Sequence, residues 1–232
     1  MNKIRAMLFD LDGTLLDSAP DLVGALNRVR ESEQLPPLDV AEMSRFASHG
    51  AVGLLKAGMP PTDSGTFESW RLRFLQHYSE NSYRDSSLYD GVPALLEFLQ
   101  MSGIPWGIVT NKIEALTLPI VEAANLGQSI SCVVCGDTLS KSKPDPAPVS
   151  LACGILAVDP GSTLFVGDDV RDIQAGRAAG TQTAAVHYGY GSYELNDSLV
   201  GSSYQIHHPA DLVTLVKHGG TAAPTPGLRE YR

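Results

Sequence analysis

Five short apolar segments along the chain are predicted to be buried β-strands. Each is a run of aliphatic, aromatic or small residues of strand length, bounded by polar or turn-forming residues. Three of these segments end in polar side chains that can take part in chemistry. The predicted strands cover residues 4–10, 105–111, 131–136, 163–168 and 183–188.

Between the later strands, apolar residues recur with the three-to-four-residue spacing of a helix. The predicted helices cover residues 92–101, 113–124, 147–153 and 172–179. This alternation of strand and helix favours an α/β fold with a doubly wound parallel sheet. Because ligands bind at the carboxyl ends of the strands in such sheets, we expect a site where polar side chains follow the strands.

Residues 18–86 interrupt this alternation, because they show helical patterns only. Helices are predicted over residues 21–33, 40–46, 51–57 and 66–78. We interpret this segment as an all-helical cap domain that is inserted after the first strand and could serve as a lid. The predicted domains are a catalytic core of residues 1–17 plus 87–217, a cap of residues 18–86, and a flexible tail of residues 218–232.

Charge and cysteine content narrow the class of protein. The chain has 232 residues and a formal net charge of −9, which argues against nucleic acid or an anionic membrane as a partner. An anionic substrate would therefore need a locally positive site. With three cysteines, no signal peptide and no apolar run of membrane-spanning length, the sequence predicts a cytoplasmic protein without a disulfide framework.

Two carboxylates, Asp10 and Asp12, directly follow the first predicted strand. Residues two apart on a strand point to the same side, so both side chains can reach one reaction centre. One carboxylate can attack a substrate while the other moves a proton, which is a common division of labour in covalent catalysis. Two close acids also repel each other, and a divalent cation would relieve that repulsion.

Three further polar motifs lie at the ends of later strands or in loops near them. Thr110 offers a hydroxyl and Asn111 an amide, Lys143 offers a cation on a proline-bounded loop, and three more acids cluster near one strand end. The candidate residues of these motifs are Thr110, Asn111, Lys143, Asp168, Asp169 and Asp172. Carboxylates with few basic neighbours suggest a hard cation, and oxygen ligands suit Mg²⁺.

Together these residues predict a phosphoryl-transfer site, which needs positioning and charge neutralisation more than elaborate bond chemistry. We expect Asp10 to attack phosphorus and Asp12 to protonate the leaving oxygen and then deprotonate the hydrolytic water. Phosphate oxygens would be held by Thr110, Asn111 and Lys143. The expected Mg²⁺ ligands are Asp10, the carbonyl of Asp12 and Asp168.

The motifs that carry this argument resemble the haloacid dehalogenase superfamily of aspartate-nucleophile phosphatases. Four motifs occur in the order of that superfamily: Asp10-Leu11-Asp12-Gly13-Thr14, Val109-Thr110-Asn111-Lys112, Lys143-Pro144-Asp145-Pro146 and Val166-Gly167-Asp168-Asp169. The resemblance covers about residues 1–215. It implies a Rossmann-like core, a helical cap of the C1 type, dependence on Mg²⁺, a small phosphorylated metabolite as substrate, and a monomer or homodimer.

Within the superfamily the chain looks like the phosphoglycolate phosphatase group and, more specifically, like the bacterial N-acetylmuramic acid 6-phosphate phosphatases of peptidoglycan recycling. Residues 166–173 and 184–190 carry this likeness. The resemblance leaves open which of the two esters is the substrate. The resemblance implies that Asp169 and Asp172 support the metal ligands. Asp172 matches the superfamily's usual supporting acid, whereas Asp169 stands where many members have Ser, so its role, in the metal shell or in hydrogen-bond support, is open as well.

Three other functions fit parts of the pattern. A sugar phosphomutase would use the same Asp10 and Asp12 but would return the phosphate to a bound sugar. A haloacid dehalogenase needs neither a second acid nor a Mg²⁺ ligand set, so the pattern argues against it. A non-catalytic interaction protein on this fold would normally have lost Asp10, Asp12, Lys143 or Asp168, and all four are present.

The cap segment supplies candidate substrate contacts but no clear specificity signal. Ser48, His49 and Gly50 lie where the superfamily's cap reaches toward the substrate, and they could line a roomy pocket for an amino sugar. Phosphoglycolate is small and doubly anionic, and it would instead need a basic contact. The basic residues that the cap offers are Arg45, Lys56, Arg71 and Arg73. Lys141 is an alternative to Lys143 as the phosphate lysine.

Overall fold

A six-stranded parallel sheet forms the centre of the computed structural model, which describes residues 3–194 and 201–218. In chain order its strands are β1 (Ala6–Phe9), β4 (Trp106–Val109), β5 (Cys132–Val134), β6 (Thr163–Gly167), β7 (Gln182–Val186) and β8 (Tyr204–Ile206). Their spatial order is β5-β4-β1-β6-β7-β8, and every neighbouring pair runs parallel. The chain leaves β1 to one side and later returns to its other side, so the doubly wound α/β prediction is confirmed.

All five predicted strands are present, although their paired parts are shorter than the apolar runs. The ladder of β1 ends at Phe9, one residue before Asp10, because the polar residues leave the sheet at its carboxyl edge. Sequence analysis missed β8, a three-residue edge strand with an exposed Gln205 in its middle. It also missed a two-stranded antiparallel ladder of β2 (Leu16–Asp17) and β3 (Ser87–Leu88).

Two apolar clusters cover the two faces of the sheet. Successive residues of β1 alternate between them, with Met7 and Phe9 in one cluster and Leu8 in the other. The helices that follow the ladder of β2 and β3 are α5 (Val92–Met101), α6 (Glu114–Ala123), α7 (Ala147–Leu156), α8 (Val170–Ala178) and α9 (Pro209–Lys217). The predicted bounds of α5 are correct, the next three differ by one to three residues, and α9 was not predicted.

The segment between β2 and β3 is helical, as predicted. Its helices are α1 (Ala19–Ser32), α2 (Val40–Met43), α3 (Gly50–Gly58) and α4 (Ser64–Glu80), and α1 packs against both α3 and α4. One prediction needs correction: the helix expected over 40–46 ends at Met43, and a 3₁₀ helix, Ser44–His49, continues the chain. Gly50 then turns it with a positive φ of 60°.

The division into core and cap stays a prediction. Of the predicted tail, residues 219–232 lie outside the described part of the chain. Within the described part, no helix is both long enough and apolar enough to cross a membrane.

Candidate active site

Asp10 lies at the carboxyl end of β1, in the middle of the sheet. Its Oδ1 accepts a hydrogen bond of 2.8 Å from the backbone N–H of Leu11 and lies 2.8 Å from Nζ of Lys143. Burial raises the pKa of Asp10, and the positive charge of Lys143 partly offsets that effect. The carboxylate is therefore fixed at the strand end and charge-paired, as a nucleophile for an anionic group needs to be.

The side chain of Lys143 holds three groups together. Its Nζ lies 2.8 Å from Asp10 Oδ1 and 2.6 Å from Asp172 Oδ1, and it donates to the carbonyl oxygen of Val109 at 2.8 Å. One of these contacts is a hydrogen bond and the other two are ion pairs, so the ammonium group lies among three oxygen atoms. Burial alone would lower the pKa of Lys143, but the two carboxylates outweigh it and raise that pKa. Contact of this lysine with a phosphate oxygen stays a prediction.

Asn111 positions the loop that carries Lys143. The Asn111 side chain donates to the carbonyl oxygen of Lys143 at 2.9 Å and accepts from its N–H at 2.9 Å. The neighbouring hydroxyl oxygen of Thr110 accepts from the N–H of Lys112 at 3.1 Å, which leaves the hydroxyl proton available for an anion. Thus the end of β4 supplies one polar group to the site and fixes the lysine loop with another.

Asp12 lies on the turn after β1, and a different cation holds it. Its Oδ1 accepts from Ser18 Oγ at 2.6 Å and lies 2.8 Å from Nζ of Lys112. The turn needs Gly13, whose φ is +82° and whose missing Cβ would lie 2.0 Å from a carboxylate oxygen of Asp168. The two acids at the end of β1 are consequently separated, each with its own lysine.

Three buried carboxylates converge near the carboxyl end of β1. Asp10, Asp168 and Asp172 each offer one oxygen, and these oxygens lie within 4.8 Å of one another. Burial, with repulsion from neighbouring acids, raises the pKa of Asp168 well above its usual value and that of Asp172 to about 7, with Lys143 partly offsetting the rise at Asp172. Hard oxygen donors crowded in this way fit Mg²⁺. Asp172 was expected only to support the ligands, yet its carboxylate belongs to the same cluster.

Asp169 caps α8 rather than joining this cluster. It accepts from the N–H of Arg171 at 2.8 Å, and Asp172 completes a capping box with the Asp169 N–H at 3.1 Å. The guanidinium of Arg171 pairs with both Asp169 oxygens at 2.8 and 2.7 Å and donates to the carbonyl oxygen of Ser48 at 2.6 Å. Burial opposes ionisation of Asp169, but these bonds lower its pKa. Asp169 therefore ties the strand end to the 3₁₀ helix through Arg171.

A cavity of about 380 Å³ opens onto all of these groups. Each residue that the sequence assigned to the site lines it: Asp10, Asp12, Ser48, His49, Gly50, Thr110, Asn111, Lys143, Asp168, Asp169 and Asp172. Of the four basic cap residues, only Arg71 is among the lining residues. Lys141 is exposed and pairs with Asp145 at 3.0 Å, so of the two lysines on this loop it is Lys143 that reaches the site.

The comparisons with known proteins agree with this geometry. The haloacid dehalogenase-like hydrolase family matches residues 7–186 of the chain. The chain belongs to this family. Its relatives include the N-acetylmuramic acid 6-phosphate phosphatase of Pseudomonas aeruginosa, 40% identical over 92% of this chain and 95% of the relative. They also include the phosphoglycolate phosphatase of Xylella fastidiosa, 36% identical over 88% of this chain and 92% of the relative.

A solved structure of the same kind supports the fold. The crystal structure of a predicted phosphoglycolate phosphatase from Haemophilus somnus matches this chain with a TM-score of 0.81 and 29% sequence identity. The match covers 93% of this chain and 99% of that protein. With phosphatases as relatives over most of its length, this haloacid dehalogenase-like hydrolase is a phosphoric monoester hydrolase.

Three residues of this hydrolase reach the site although sequence analysis did not select them. Lys112 pairs with Asp12, Tyr78 of α4 accepts from Lys112, and Arg171 joins α8 to Ser48. Lys112 directly follows the Thr110-Asn111 motif, and this position at a strand end was an available signal. Nothing in the sequence pairs Tyr78 with Lys112, because 34 residues separate them.

Proposed function

We propose that this hydrolase releases phosphate from N-acetylmuramic acid 6-phosphate through an aspartyl phosphate on Asp10, in the cytoplasm, with Mg²⁺ as cofactor. The observation that carries the proposal is the placement of Asp10 and Asp12 in one cavity, each paired with a different lysine. That arrangement suits one acid for attack and the other for proton transfer.

The proposed reaction has two displacements at phosphorus. In the first, Asp10 attacks, the bond to the ester oxygen breaks, and Asp12 gives that oxygen a proton. In the second, Asp12 takes a proton from water, the water oxygen attacks phosphorus, and the bond to Asp10 breaks. Inorganic phosphate leaves and both acids return to their starting state. Lys143 keeps Asp10 oriented, and Thr110 offers its hydroxyl proton to an equatorial oxygen.

Asp10, Asp168 and the carbonyl of Asp12 are the groups that we propose hold Mg²⁺, with the Asp172 carboxylate beside them. When bound, the ion would neutralise charge where an anionic nucleophile meets an anionic phosphate. The glycines around Asp168 fit such a site, because added Cβ atoms at Gly189 and Gly191 would lie 2.5 and 2.8 Å from Asp168 atoms. The backbone must approach this carboxylate closely.

Cavity size supports an amino-sugar substrate. A volume of about 380 Å³ lies in the range that holds a drug-sized ligand, whereas a two-carbon acid would leave much of it to water. Part of the wall is apolar and suits methyl groups such as those of an acetamido or lactyl substituent. The apolar lining residues include Leu22, Phe74, Leu75, Ile113 and Leu116. Among the relatives, two N-acetylmuramic acid 6-phosphate phosphatases are 40% and 41% identical to this chain.

Phosphoglycolate is the second candidate substrate, because the cavity offers a basic contact for its carboxylate. Arg71 lines the cavity, and an arginine can bind a carboxylate with two parallel hydrogen bonds. In this structure the Arg71 guanidinium already pairs with Glu68 at 2.8 and 2.7 Å. A substrate carboxylate would have to compete with Glu68. N-acetylmuramic acid 6-phosphate also carries a carboxylate, on its lactyl group, so Arg71 does not distinguish the two esters, and the size of the cavity favours the larger one.

Phosphate release with Mg²⁺ tests the proposal, with both esters compared at equal concentration. We expect a higher kcat/KM for N-acetylmuramic acid 6-phosphate than for phosphoglycolate, and no turnover of either by Asp10→Asn. Preference for phosphoglycolate would assign the second candidate. A requirement for a sugar bisphosphate, with phosphate transferred rather than released, would indicate a phosphomutase. Phosphate release by folded Asp10→Asn would refute the nucleophile assignment.

A further inference from the structure

Lys112 is a buried cation that the proposed reaction does not use. Its side chain is 8% exposed, although it lines the same cavity as Asp12. Its Nζ lies 2.8 Å from Asp12 Oδ1 and donates to Tyr78 Oη at 2.7 Å. Placing a lysine in such surroundings costs free energy unless its charge is paired and hydrogen-bonded, and here it is both. Because Lys112 lies next to Asp12, the proposed acid/base, Asp12 is the residue on which Lys112 can act most directly.

The two oxygens of Asp12 have different surroundings. Oδ1 accepts from Ser18 Oγ at 2.6 Å and from Lys112, and Ser18 Oγ in turn lies 2.8 Å from Tyr190 Oη. Among the described residues, none is hydrogen-bonded to Oδ2 of Asp12. Two donors on one oxygen fix the carboxylate plane, so the second oxygen can exchange a proton with a group in the cavity.

Tyr78 holds the far side of the lysine. Its side chain is buried on α4, and its ring stacks on Phe74 with centroids 6.4 Å apart and an interplanar angle of 23°. The ammonium of Lys112 also lies 4.7 Å from the centroid of the Tyr78 ring. A lysine side chain has a flexible four-carbon stem, and an anchor at its tip reduces the positions that it can take.

We propose that Lys112 is a positioning residue for Asp12: anchored by Tyr78, it holds Oδ1 so that Oδ2 meets the leaving oxygen and the hydrolytic water. The inference rests on the acid/base role proposed for Asp12. It predicts a defect that follows the proton demand of the leaving group. An alkoxide leaving group needs protonation, whereas p-nitrophenolate leaves with little help.

The test compares kcat/KM for N-acetylmuramic acid 6-phosphate and for p-nitrophenyl phosphate in Lys112→Met, since kcat/KM reports the first displacement. Misplaced general acid catalysis should lower kcat/KM for the sugar ester about 100-fold. For the aryl ester we expect kcat/KM to fall only about 10-fold, because its leaving group needs little protonation. Tyr78→Phe removes one hydroxyl and its hydrogen bond to Lys112. This variant should lower kcat/KM for the sugar ester about 5-fold, again with a smaller loss for the aryl ester.

Matched controls and a reference variant separate the possible outcomes. Lys141→Met removes an exposed lysine and Tyr83→Phe removes a hydroxyl that does not line the cavity, and neither should change the ratio of the two substrates. Asp12→Asn should show the largest selective loss. If it does, while Lys112→Met and Tyr78→Phe lose activity equally on both esters, the positioning role is refuted and the proposed function stands.

If Asp12→Asn shows no selectivity for leaving group, the acid role itself is wrong, and the inference about Lys112 is overturned with it. Circular dichroism and thermal unfolding establish whether each variant is folded. Should Lys112→Met not fold, Tyr78→Phe decides the question, because it removes a single oxygen and leaves the ring packing in place.

Discussion

Lys143→Met should destabilise the protein strongly. Lys143 is 4% exposed and lies between two buried carboxylates, with Nζ 2.8 Å from Asp10 and 2.6 Å from Asp172. Methionine keeps most of the side-chain volume, so the change removes the charge and little packing. Breaking a buried ion pair by removing one partner costs about 3–5 kcal/mol, because the remaining charge is left unpaired.

The expected loss can be measured as a fall in melting temperature. For a protein of this size, about 1 kcal/mol corresponds to about 2–4 °C, so we expect a drop of about 6–20 °C without divalent metal. Excess Mg²⁺ should restore part of the stability, since a ligand at about 100 times its Kd contributes about 2.7 kcal/mol. The restoration should be larger than the Mg²⁺ effect on the wild type, because two unpaired acids attract the ion more strongly.

Lys141→Met is the matched control for this experiment. That lysine side chain is 65% exposed, and its pair with Asp145 lies at the surface, so its loss should leave the melting temperature close to that of the wild type. A Lys143→Met melting temperature equal to that of Lys141→Met, in chelator, would refute the argument. It would mean that the two acids are neutral or solvated at this position.

Three further variants test other parts of the site. Asp10→Asn should abolish turnover with circular dichroism unchanged, and folded, active protein would contradict the nucleophile role. Asp12→Asn should lose about 100-fold or more of kcat on a sugar phosphate, and near-normal turnover would contradict acid/base catalysis. Arg171→Ala removes the 2.6 Å bond to the carbonyl of Ser48, so KM should rise about 5-fold or more while kcat changes less, and a pure kcat loss would argue against this anchoring role.

The sheet was predictable because its determinants are local. Short apolar runs mark β1, β4, β5, β6 and β7, and their polar ends mark the edge where Asp10 and Asp168 lie. Strand ends could not be predicted to the residue, since the same apolar run continues after the ladder stops. The three-residue strand β8 carries too few apolar residues for a pattern.

Contacts between segments that are distant in the chain could not be predicted from the sequence. Lys112 and Asp12 are 100 residues apart, and only the parallel pairing of β1 with β4 brings them together. Arg171 and Ser48 are 123 residues apart, and α8 must follow β6 for them to meet. Motif reading found the residues that carry chemistry, whereas the residues that hold them in place follow from tertiary geometry.

The 3₁₀ helix after α2 shows the same limit on a smaller scale. Residues 40–46 have a helical pattern, and Asp39 caps the segment by accepting from Ala41 and Glu42. The turn at Gly50 and the bond from Arg171 to Ser48 fix the chain beyond Met43. Helix propensity alone cannot predict where a helix ends when a tertiary contact of this kind decides it.

The most direct test of the central claim is the identity of the phosphorylated residue. Asp12→Asn should form the aspartyl phosphate from p-nitrophenyl phosphate and hydrolyse it slowly, because water activation is lost. Acid quenching and peptide mass spectrometry should then find one phosphoryl group on the peptide containing Asp10, and none when Asp10→Asn is added. A phosphoryl group on another residue, or full turnover with no phosphorylated peptide at any time, would contradict the account.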